Sequence, residues 1–549
     1  MTKRRNISIS ELVSGLKPQD NLVASISVPA PDTENISGHE AYAQDKWHKL
    51  LTMLNTIKID DQFYRSAPQA VVDLKRTVDE CAKEDPYFVA QCIVYSRCIA
   101  DGMRTVTQLA SVFLSPHISG LDWSKRLYGL WNKKAKKGGM VYRPDDMVRI
   151  KEYFQAIHMN GEGKSLAIPN AMKKAFKNNL ESLDSYSILK YKKGLIDIIN
   201  LVHPKPNEKE ARMVEVDGKS VEVLSAVIRG LKVSADTWEV AQSEAGQIVA
   251  QAVKEGKISE AEAENVLKEA KADNWKGLLT DKSLGILAAL RNIRSILKTN
   301  ADRDTLDMLE ELLGDTNMIL SGKIMPYQID MAIEVINSEF NSQNSRSLVK
   351  TLAKSYEDSI PNLKEALKGR NLVMLDCSGS MSTRINDAKI RGKIYSSSCM
   401  DKAALIASTI AKATDADIIR FGSSAEYVSW NPNQDVFTMS KEIVRGMGGT
   451  NLSKAWQCAS ESGNSYDRVF ILSDNECNVG STYEMYRKFV ENVSDPYVYS
   501  VDLCGYGTNP IAGPKVRYYY GYGFSMFEDI SKCEFNPEFH IEKVKKVEI

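Results

Sequence analysis

The sequence predicts two structural halves, a helical-repeat region followed by an α/β domain with a doubly wound, mostly parallel sheet. From about residue 41 to residue 367, apolar residues recur at three- and four-residue spacing, which is the period of amphipathic helices. After Arg370, short apolar runs alternate with helical segments, which is typical of strands buried between two helical layers. A chain of 549 residues is also too long for a single hydrophobic core.

The first half consists of one periodic helical segment after another. Short polar breaks separate the segments, and this favours stacked antiparallel helix pairs over one bundle of long helices. No strict repeat period is visible, so the repeat architecture is inferred from the density of helices. The segments with helical spacing include Gln44–Ile57, Ala67–Lys83, Tyr87–Ala100, Val106–Leu114, Ser234–Lys254, Ser259–Ala270 and Asp304–Leu313.

The second half begins with the apolar run NLVMLD, Asn371–Asp376, which predicts a strand buried on both faces. Further strands are predicted over Asp417–Phe421, Arg468–Ser473 and Tyr497–Leu503, with helices over Asp401–Ala413, Ser453–Ser462 and Tyr483–Val493. We therefore expect three parts: a flexible N-terminal extension (1–40), a helical module (41–369) and an α/β domain (370–549).

The composition limits the classes of function. The formal net charge is zero at pH 7, so a surface that binds nucleic acid has to be local. Nine cysteines without a C-x-x-C pair argue against a zinc site and against a disulfide framework. No apolar run follows the basic N-terminal residues, and no apolar stretch is long enough to span a bilayer. We expect a cytoplasmic protein without a membrane segment.

Oxygen-bearing side chains follow two of the predicted strands. Asp376, Ser378 and Ser380 come at the end of the first strand, Thr450 lies in a later glycine-containing loop, and Asp474 directly follows the strand RVFILS. Such residues often only cap turns and helices. Their positions at strand ends on the same edge of the sheet favour a metal site. Hard oxygen ligands suit a divalent cation such as Mg²⁺, the ion that we expect, rather than zinc.

This spacing resembles the metal-ion-dependent adhesion site of von Willebrand A (vWA) domains. The D-x-S-x-S pattern falls on Asp376, Ser378 and Ser380, the threonine on Thr450 and the later aspartate on Asp474. The resemblance implies a Mg²⁺ ion with one open coordination position, which a partner's carboxylate can fill.

Both halves together resemble the Ro family of small-RNA-binding proteins, whose helical part is the TROVE module. The resemblance covers about residues 45 to 535, although 208–282 shows little of it. It is carried by Tyr191–Lys192, His203–Pro206, Ala289–Ile293, Ile324–Tyr327, Gly448–Thr450 and Asp474–Glu476.

Membership of that family implies a ring of HEAT-like helical repeats closed by the A domain. It implies a ribonucleoprotein component that binds small structured non-coding RNA, of the Y RNA kind, on its outer surface. Single-stranded 3′ ends of misfolded RNA would enter the central hole, as in an RNA chaperone or quality-control protein. It also implies a monomer that takes a protein partner, such as an exoribonuclease, at the A domain.

Local charge agrees with RNA binding. Residues 123–193 contain sixteen Lys and Arg against six Asp and Glu. Such a surface neutralises phosphates, and an aromatic residue within it can stack on a base. Lysine-rich helices also often only solvate a surface, and a histidine beside a proline is more often structural. The candidate RNA-binding residues are Lys133, Lys134, Lys136, Lys137, Lys190, Tyr191, Lys192, Lys193 and, by resemblance, His203.

Three classes of function remain open at this point. The first is an RNA chaperone or quality-control binder, and the second is a protein-assembly scaffold whose metal site grips an acidic partner. A metal-dependent hydrolase is disfavoured because no general base or phosphate clamp accompanies the metal motif. We therefore expect no enzymatic activity.

Overall fold

The computed structural model describes residues 28–57, 64–100, 104–132, 139–158, 167–207, 209–231, 233, 246, 248–255, 257–299, 301–322, 324, 326–360, 363–390, 393–520, 529, 532–536 and 538–549. Helices dominate it up to residue 366, and parallel strands alternate with helices afterwards. The predicted fold class, helical repeats followed by a doubly wound α/β domain, is confirmed.

The helices of the first half are α1 (Lys46–Thr56), α2 (Ala67–Glu84), α3 (Pro86–Cys98), α4 (Arg104–Leu114), α5 (Ser124–Gly129), α6 (Asp145–Ile157), α7 (Asn170–Ser182), α8 (Ser185–Val202), α9 (Val223–Ile228), α10 (Glu260–Thr280), α11 (Ile286–Leu297), α12 (Arg303–Gly314), α13 (Thr316–Gly322), α14 (Pro326–Glu339), α15 (Gln343–Ser359) and α16 (Leu363–Ala366). Of the predicted helix Ser234–Lys254, residues 248–254 are helical and 234–245 lie outside the described residues. Many helices start at a side-chain cap; for example, Asp45 accepts from the backbone N–H of Trp47 and His48.

The strands are β1 (Thr33–Glu34), β2 (Glu40–Ala43), β3 (Met213–Val216), β4 (Lys219–Glu222), β5 (Asn371–Asp376), β6 (Arg384–Ile390), β7 (Lys393–Ser398), β8 (Asp417–Phe421), β9 (Ala425–Val428), β10 (Arg468–Ser473), β11 (Tyr497–Asp502), β12 (Thr508–Asn509) and β13 (Val516–Tyr520). The hairpin β3–β4 was not among the elements predicted from the sequence. Asp217 and Gly218 form its turn with φ of 49° and 72°, and an Asp-Gly pair between alternating residues is the usual signal for such a turn.

A six-stranded sheet in the order β13-β11-β10-β5-β8-β9 forms the centre of the second half, and only the edge strand β9 is antiparallel. Every residue of β5 is buried, as its apolar sequence predicts. Helices cover both faces. The helices are α17 (Cys399–Thr414), α18 (Val436–Glu442), α19 (Leu452–Ser462), α20 (Thr482–Asn492), α21 (Lys532–Phe535) and α22 (Phe539–Lys545). One face packs on α17 and α18, and the other packs on α19 and α20.

The last helices of the first half pack directly on the sheet domain. Helices α10 to α16 share one hydrophobic cluster with α17, α18 and one face of the sheet. Within it, the hydroxyl of Tyr356 on α15 lies 2.9 Å from the hydroxyl of Thr409 on α17, and Lys412 donates to Glu357 at 2.7 Å. The C-terminal end of the helical half is therefore joined to the sheet domain by a continuous core.

The first helices meet the same domain from the other side. The buried guanidinium of Arg65 donates to the carbonyl oxygens of Cys504 and Gly505, at 3.1 and 3.0 Å. The chain's last residues pack against α1 to α9 through Ile541, Val544 and Val547. The helical half thus meets the C-terminal domain at both of its ends, and the chain closes on itself.

Residues 28–40 of the predicted N-terminal extension are described by the structure and include paired strands, and residues 1–27 lie outside the described residues. Strands β1 and β2 form an antiparallel hairpin, and β2 pairs with β12 of the sheet domain. Val28 is part of the core on the α19–α20 face. Backbone pairing with a strand far away in sequence holds this segment, and local sequence does not reveal such pairing.

A buried ionic network fixes α3, α4 and α6 relative to one another. Asp146 is fully buried and accepts from Arg97 at 2.9 Å, from Arg104 at 2.6 Å and from Gln108 at 2.7 Å. Its second oxygen also accepts from the backbone N–H of Tyr142 at 2.8 Å. A buried charge is tolerated only when it is paired and hydrogen-bonded in this way.

We expect Asp146→Ala to lower the free energy of unfolding by about 3–5 kcal/mol, because it leaves the buried Arg97 guanidinium without its partner. Chemical denaturation followed by circular dichroism measures the change. Asp197→Ala is the matched control, since that carboxylate is 69% exposed beside Lys151 and its loss should cost at most about 0.5 kcal/mol. Equal effects of the two variants would contradict this account of the network.

Candidate metal centre and nucleic-acid surface

The two predicted metal-site carboxylates lie where the strand order of the sheet reverses. From β5 the chain continues to β8 and β9 on one side, and then returns to β10, β11 and β13 on the other. Asp376 ends β5, and Asp474 directly follows β10, the neighbouring parallel strand. Crevices at such a reversal of strand order are the usual ligand sites of open α/β sheets.

The hydroxyls of the D-x-S-x-S loop gather beside Asp376. One oxygen of Asp376 accepts from the backbone N–H of Ser378 at 2.8 Å, and the hydroxyls of Ser378 and Ser380 lie 3.2 Å apart. The other oxygen accepts from the Ser473 hydroxyl at 2.6 Å. Sequence reasoning missed Ser473, which directly precedes Asp474 and orients Asp376 from the adjacent strand.

Burial makes both carboxylates unusual. Desolvation and then the nearby charge of Asp474 raise the pKa of Asp376 to about 7. Burial also raises the pKa of Asp474, and the Ser380 side chain acts in the opposite direction. One oxygen of Asp474 is buried without a hydrogen-bond partner. Two buried carboxylates that repel each other, one with an unused oxygen, suit a divalent cation between them.

Thr450 is buried on the loop next to these residues. The backbone N–H of Gly379 donates to the carbonyl oxygen of Gly448 at 2.7 Å, which joins the two loops. Thr450 itself is held by Asn478, whose side chain accepts from its backbone N–H at 2.9 Å. Gly422, directly after β8, allows the loop at Met447 to pack closely against it, because a Cβ at position 422 would lie 2.4 Å from the Cβ of Met447.

The donor set depends on hydroxyls as much as on carboxylates. Among the described residues, no group of three or more His, Cys, Asp or Glu side chains surrounds a common point. Asp376, Ser378, Ser380 and Asp474 are brought together, and Thr450 lies on the adjoining loop. This set of hard oxygen atoms fits Mg²⁺ and does not fit a metal that prefers sulfur or nitrogen.

The N-terminal hairpin β1–β2 covers the loop that follows Asp474. Asn35 donates to the carbonyl oxygen of Cys477 at 2.6 Å, and the backbone N–H of Ser37 lies 3.3 Å from Glu476. Burial, together with the charge of Asp474, raises the pKa of Glu476 to about 8. Sequence reasoning did not assign Glu476 to the site, and its contact with a segment more than 400 residues away has no local signal.

Helix α8 carries the second group of candidate residues. Tyr186, Lys190 and Lys193 lie on one exposed side of it, at four- and three-residue spacing. The Lys190 ammonium lies 3.1 Å from the Tyr186 hydroxyl and 5.3 Å from the centre of its ring. Tyr186 is 43% exposed and was not singled out from the sequence, although its spacing from Lys190 marks the same helix face.

The remaining predicted residues of this region have different surroundings. Tyr191 is half-buried and packs against the helical core, and Lys192 donates to the carbonyl oxygen of Val233 at 2.5 Å. His203 is exposed just after α8, with a left-handed φ of 47°. Lys133, Lys134, Lys136 and Lys137 lie outside the described residues. Of the four predicted residues from 190 to 193, Lys190 and Lys193 share the exposed stripe.

Comparisons with known proteins found a family model for part of the second half and a solved structure with a similar overall fold. Residues 370–491 match the family model of the Ro60 vWA domain. The chain is similar to the crystal structure of the Deinococcus radiodurans RO (RSR) protein, with a TM-score of 0.55 and 15% identity over 89% of this chain and 100% of that one. No curated protein sequence matches the chain significantly. Within the described ranges, no helix has the length and hydropathy needed to cross a bilayer.

We expect Mg²⁺ to raise the thermal unfolding midpoint, and to raise it more at pH 8 than at pH 6. The pKa of Asp376 is raised from about 4 in the unfolded chain to about 7 in the folded one. The folded protein therefore holds a proton that the unfolded chain loses, and stability falls as pH rises through this window. A cation competes with that proton, so its stabilisation grows over the same window.

Differential scanning fluorimetry with and without Mg²⁺ measures the shift. Asp376→Asn should remove it, whereas Glu491→Gln, on the exposed surface of α20 in the same domain, should retain it. A Mg²⁺ shift that is unchanged in Asp376→Asn would place the cation elsewhere.

Proposed function

We propose that this chain, a Ro-family protein with a Ro60-type vWA domain, binds structured RNA without chemically altering it. The observation that carries the proposal is the exposed face of α8, where Tyr186, Lys190 and Lys193 combine an aromatic ring with two cations. We define these three residues as the α8 basic face. In a chain of zero net charge, such a face is a local site for phosphates and bases.

The chemistry of the α8 basic face suits RNA. Lysine ammonium groups neutralise phosphates and release condensed counterions, so binding weakens steeply with salt. An exposed tyrosine stacks on a base that is not paired, and such stacking tolerates different sequences. His203 follows the end of the same helix, about 15 Å along the axis from Lys193, within reach of the same RNA.

The attachment of the helical half at both of its ends suggests a second RNA contact. Both ends of this half pack on the C-terminal domain. We propose that the helices between these ends enclose a space into which a single strand can be threaded. Because a duplex is far wider than a single strand, such a space would take a single-stranded end and leave the paired part of the RNA outside. We propose that structured RNA lies on the α8 basic face while a single-stranded 3′ end enters this enclosed space, as a chaperone of misfolded RNA requires.

The metal centre has a separate role in this proposal. Asp376, Ser378, Ser380, Thr450 and Asp474 would hold a Mg²⁺ ion, which supplies a coordination position for an acidic group of a protein partner. The exposed apolar side chains of Ile36 and Val479 belong to the two segments that meet beside the site. This observation favours a second candidate function, a scaffold that joins the RNA-bound chain to a protein such as a ribonuclease.

Replacing both lysines of the α8 basic face should weaken RNA binding. We expect Lys190→Glu/Lys193→Glu to lower the affinity for a hairpin RNA by roughly tenfold or more at 0.1 M salt. The slope of log affinity against log salt should fall by about 1.4–1.8, since two phosphate contacts are lost. Fluorescence anisotropy with a labelled hairpin, across a salt series, gives both quantities.

Lys488→Glu is the matched control, because this lysine is exposed on α20 of the sheet domain and should leave both values unchanged. Circular dichroism of the double variant verifies that its helices are intact. Equal affinity of the double variant and the original chain would remove the α8 basic face from the RNA site.

A single-stranded 3′ tail should strengthen binding. We expect a hairpin with a tail of about ten nucleotides to bind more tightly than the same hairpin with a blunt end, because only the tail can enter the enclosed space. Asp376→Asn should not alter this difference, since the metal centre lies outside the proposed RNA path. RNA recovered after incubation with the protein and Mg²⁺ should keep its length; a shortened product would overturn the proposal of binding without catalysis.

A further inference from the structure

Two buried cysteines face each other at the carboxyl edge of the sheet. The sulfur atoms of Cys399 and Cys504 are 3.0 Å apart, and each residue is only 1% exposed. Cys399 is the first residue of α17, and Cys504 lies two residues beyond the end of β11. Both are free thiols, and they are 105 positions apart in the chain.

The backbone holds both cysteines in this position. The N–H of Cys399 donates to the carbonyl oxygen of Thr383 at 2.9 Å, and the N–H of Cys504 donates to Asp502 at 2.9 Å. The two sulfur atoms need to approach by only about 1 Å to reach the bond length of a disulfide. The buried thiol of Cys81, in contrast, donates to the carbonyl oxygen of Lys46 at 3.6 Å.

We propose that Cys399 and Cys504 are a disulfide-forming pair, oxidised by small peroxides. One thiol sulfur attacks a peroxide oxygen, the O–O bond breaks, and a sulfenic acid and one water are formed. The second thiol sulfur then attacks the sulfenic sulfur, the S–O bond breaks, and a second water leaves with the remaining proton. Two thiols and one hydrogen peroxide thus give one disulfide and two waters, with two electrons passing from sulfur to oxygen.

The position of the pair gives the bond a structural consequence. The carbonyl oxygen of Cys504 accepts from Arg65, the residue through which the first helices contact the sheet domain. A disulfide would therefore tie α17 covalently to the loop that closes the chain. The hydrogen bond with Cys399 and burial raise the pKa of the Cys504 thiol well above its usual value, so Cys504 is protonated at neutral pH in the reduced protein.

The test is to treat the reduced full-length protein with hydrogen peroxide, block the remaining thiols, and map its peptides by mass spectrometry without reductant. We expect one cross-linked pair containing Cys399 and Cys504, with a mass about 2 Da below the sum of the two reduced peptides. A thiol reductant should restore the two separate peptides. The oxidised protein should also show a higher thermal midpoint and slower hydrogen exchange at residues 503–507.

The matched controls are Cys399→Ser, which should lose the linked peptide, and Cys81→Ser, which should retain it. The measurement on the original chain does not depend on whether either variant folds. Absence of the linked peptide would overturn the proposal, and so would a sulfinic or sulfonic acid at Cys504 in its place.

Discussion

The contact on which the rest of this structure depends is the seam where the chain closes. There, one buried guanidinium, that of Arg65, binds two carbonyl oxygens of the loop after β11. Around it, the residues that follow the sheet pack into the core of α1 to α9, and the hairpin β1–β2 adds to a strand of the sheet domain. At the opposite end, α15 and α17 share a core. Because both ends of the helical half are fixed to one rigid sheet, neither half is an independent unit.

The carboxyl edge of the sheet at Asp376 and Asp474, called the metal edge below, combines burial with two acidic groups, and burial disfavours their charged forms. Asp376 and Asp474 are both fully buried at the ends of neighbouring strands. Burial raises the pKa of each carboxyl, and the charge of Asp474 raises the pKa of Asp376 further. Hydrogen bonds from Ser378 and Ser473 relieve only part of this cost. The proposed divalent cation would relieve this repulsion, and its binding would then depend on pH. Asn478 holds the loop that carries Thr450, and the N-terminal hairpin holds the loop that carries Glu476, so the N-terminal segment contributes to a site in the sheet domain.

The two proposed binding surfaces divide their work between the two halves. The α8 basic face lies on the helical half, far in sequence from the metal edge, and uses long exposed side chains that adapt to a flexible polymer. The metal edge uses short, buried, rigid ligands, which suit one acidic group of a folded partner. The seam connects the halves, and the Cys399–Cys504 pair lies directly behind it.

The sequence by itself determined the fold class, the positions of most helices and the buried strands, because hydrophobic periodicity is a local property of neighbouring residues. It also predicted that Asp376, Ser378, Ser380 and Asp474 lie close together, since loops that follow neighbouring parallel strands share one edge of the sheet. Thr450, on a loop between two helices, was added by the resemblance to vWA domains. Only the tertiary structure decided that β1–β2 pairs with β12, that Ser473 and Glu476 adjoin the metal edge, and that Cys399 lies against Cys504. It also turned Lys192 and Tyr191 inward and left Tyr186 exposed on the same helix. These facts depend on contacts between residues tens to hundreds of positions apart, and a local pattern carries no information about them.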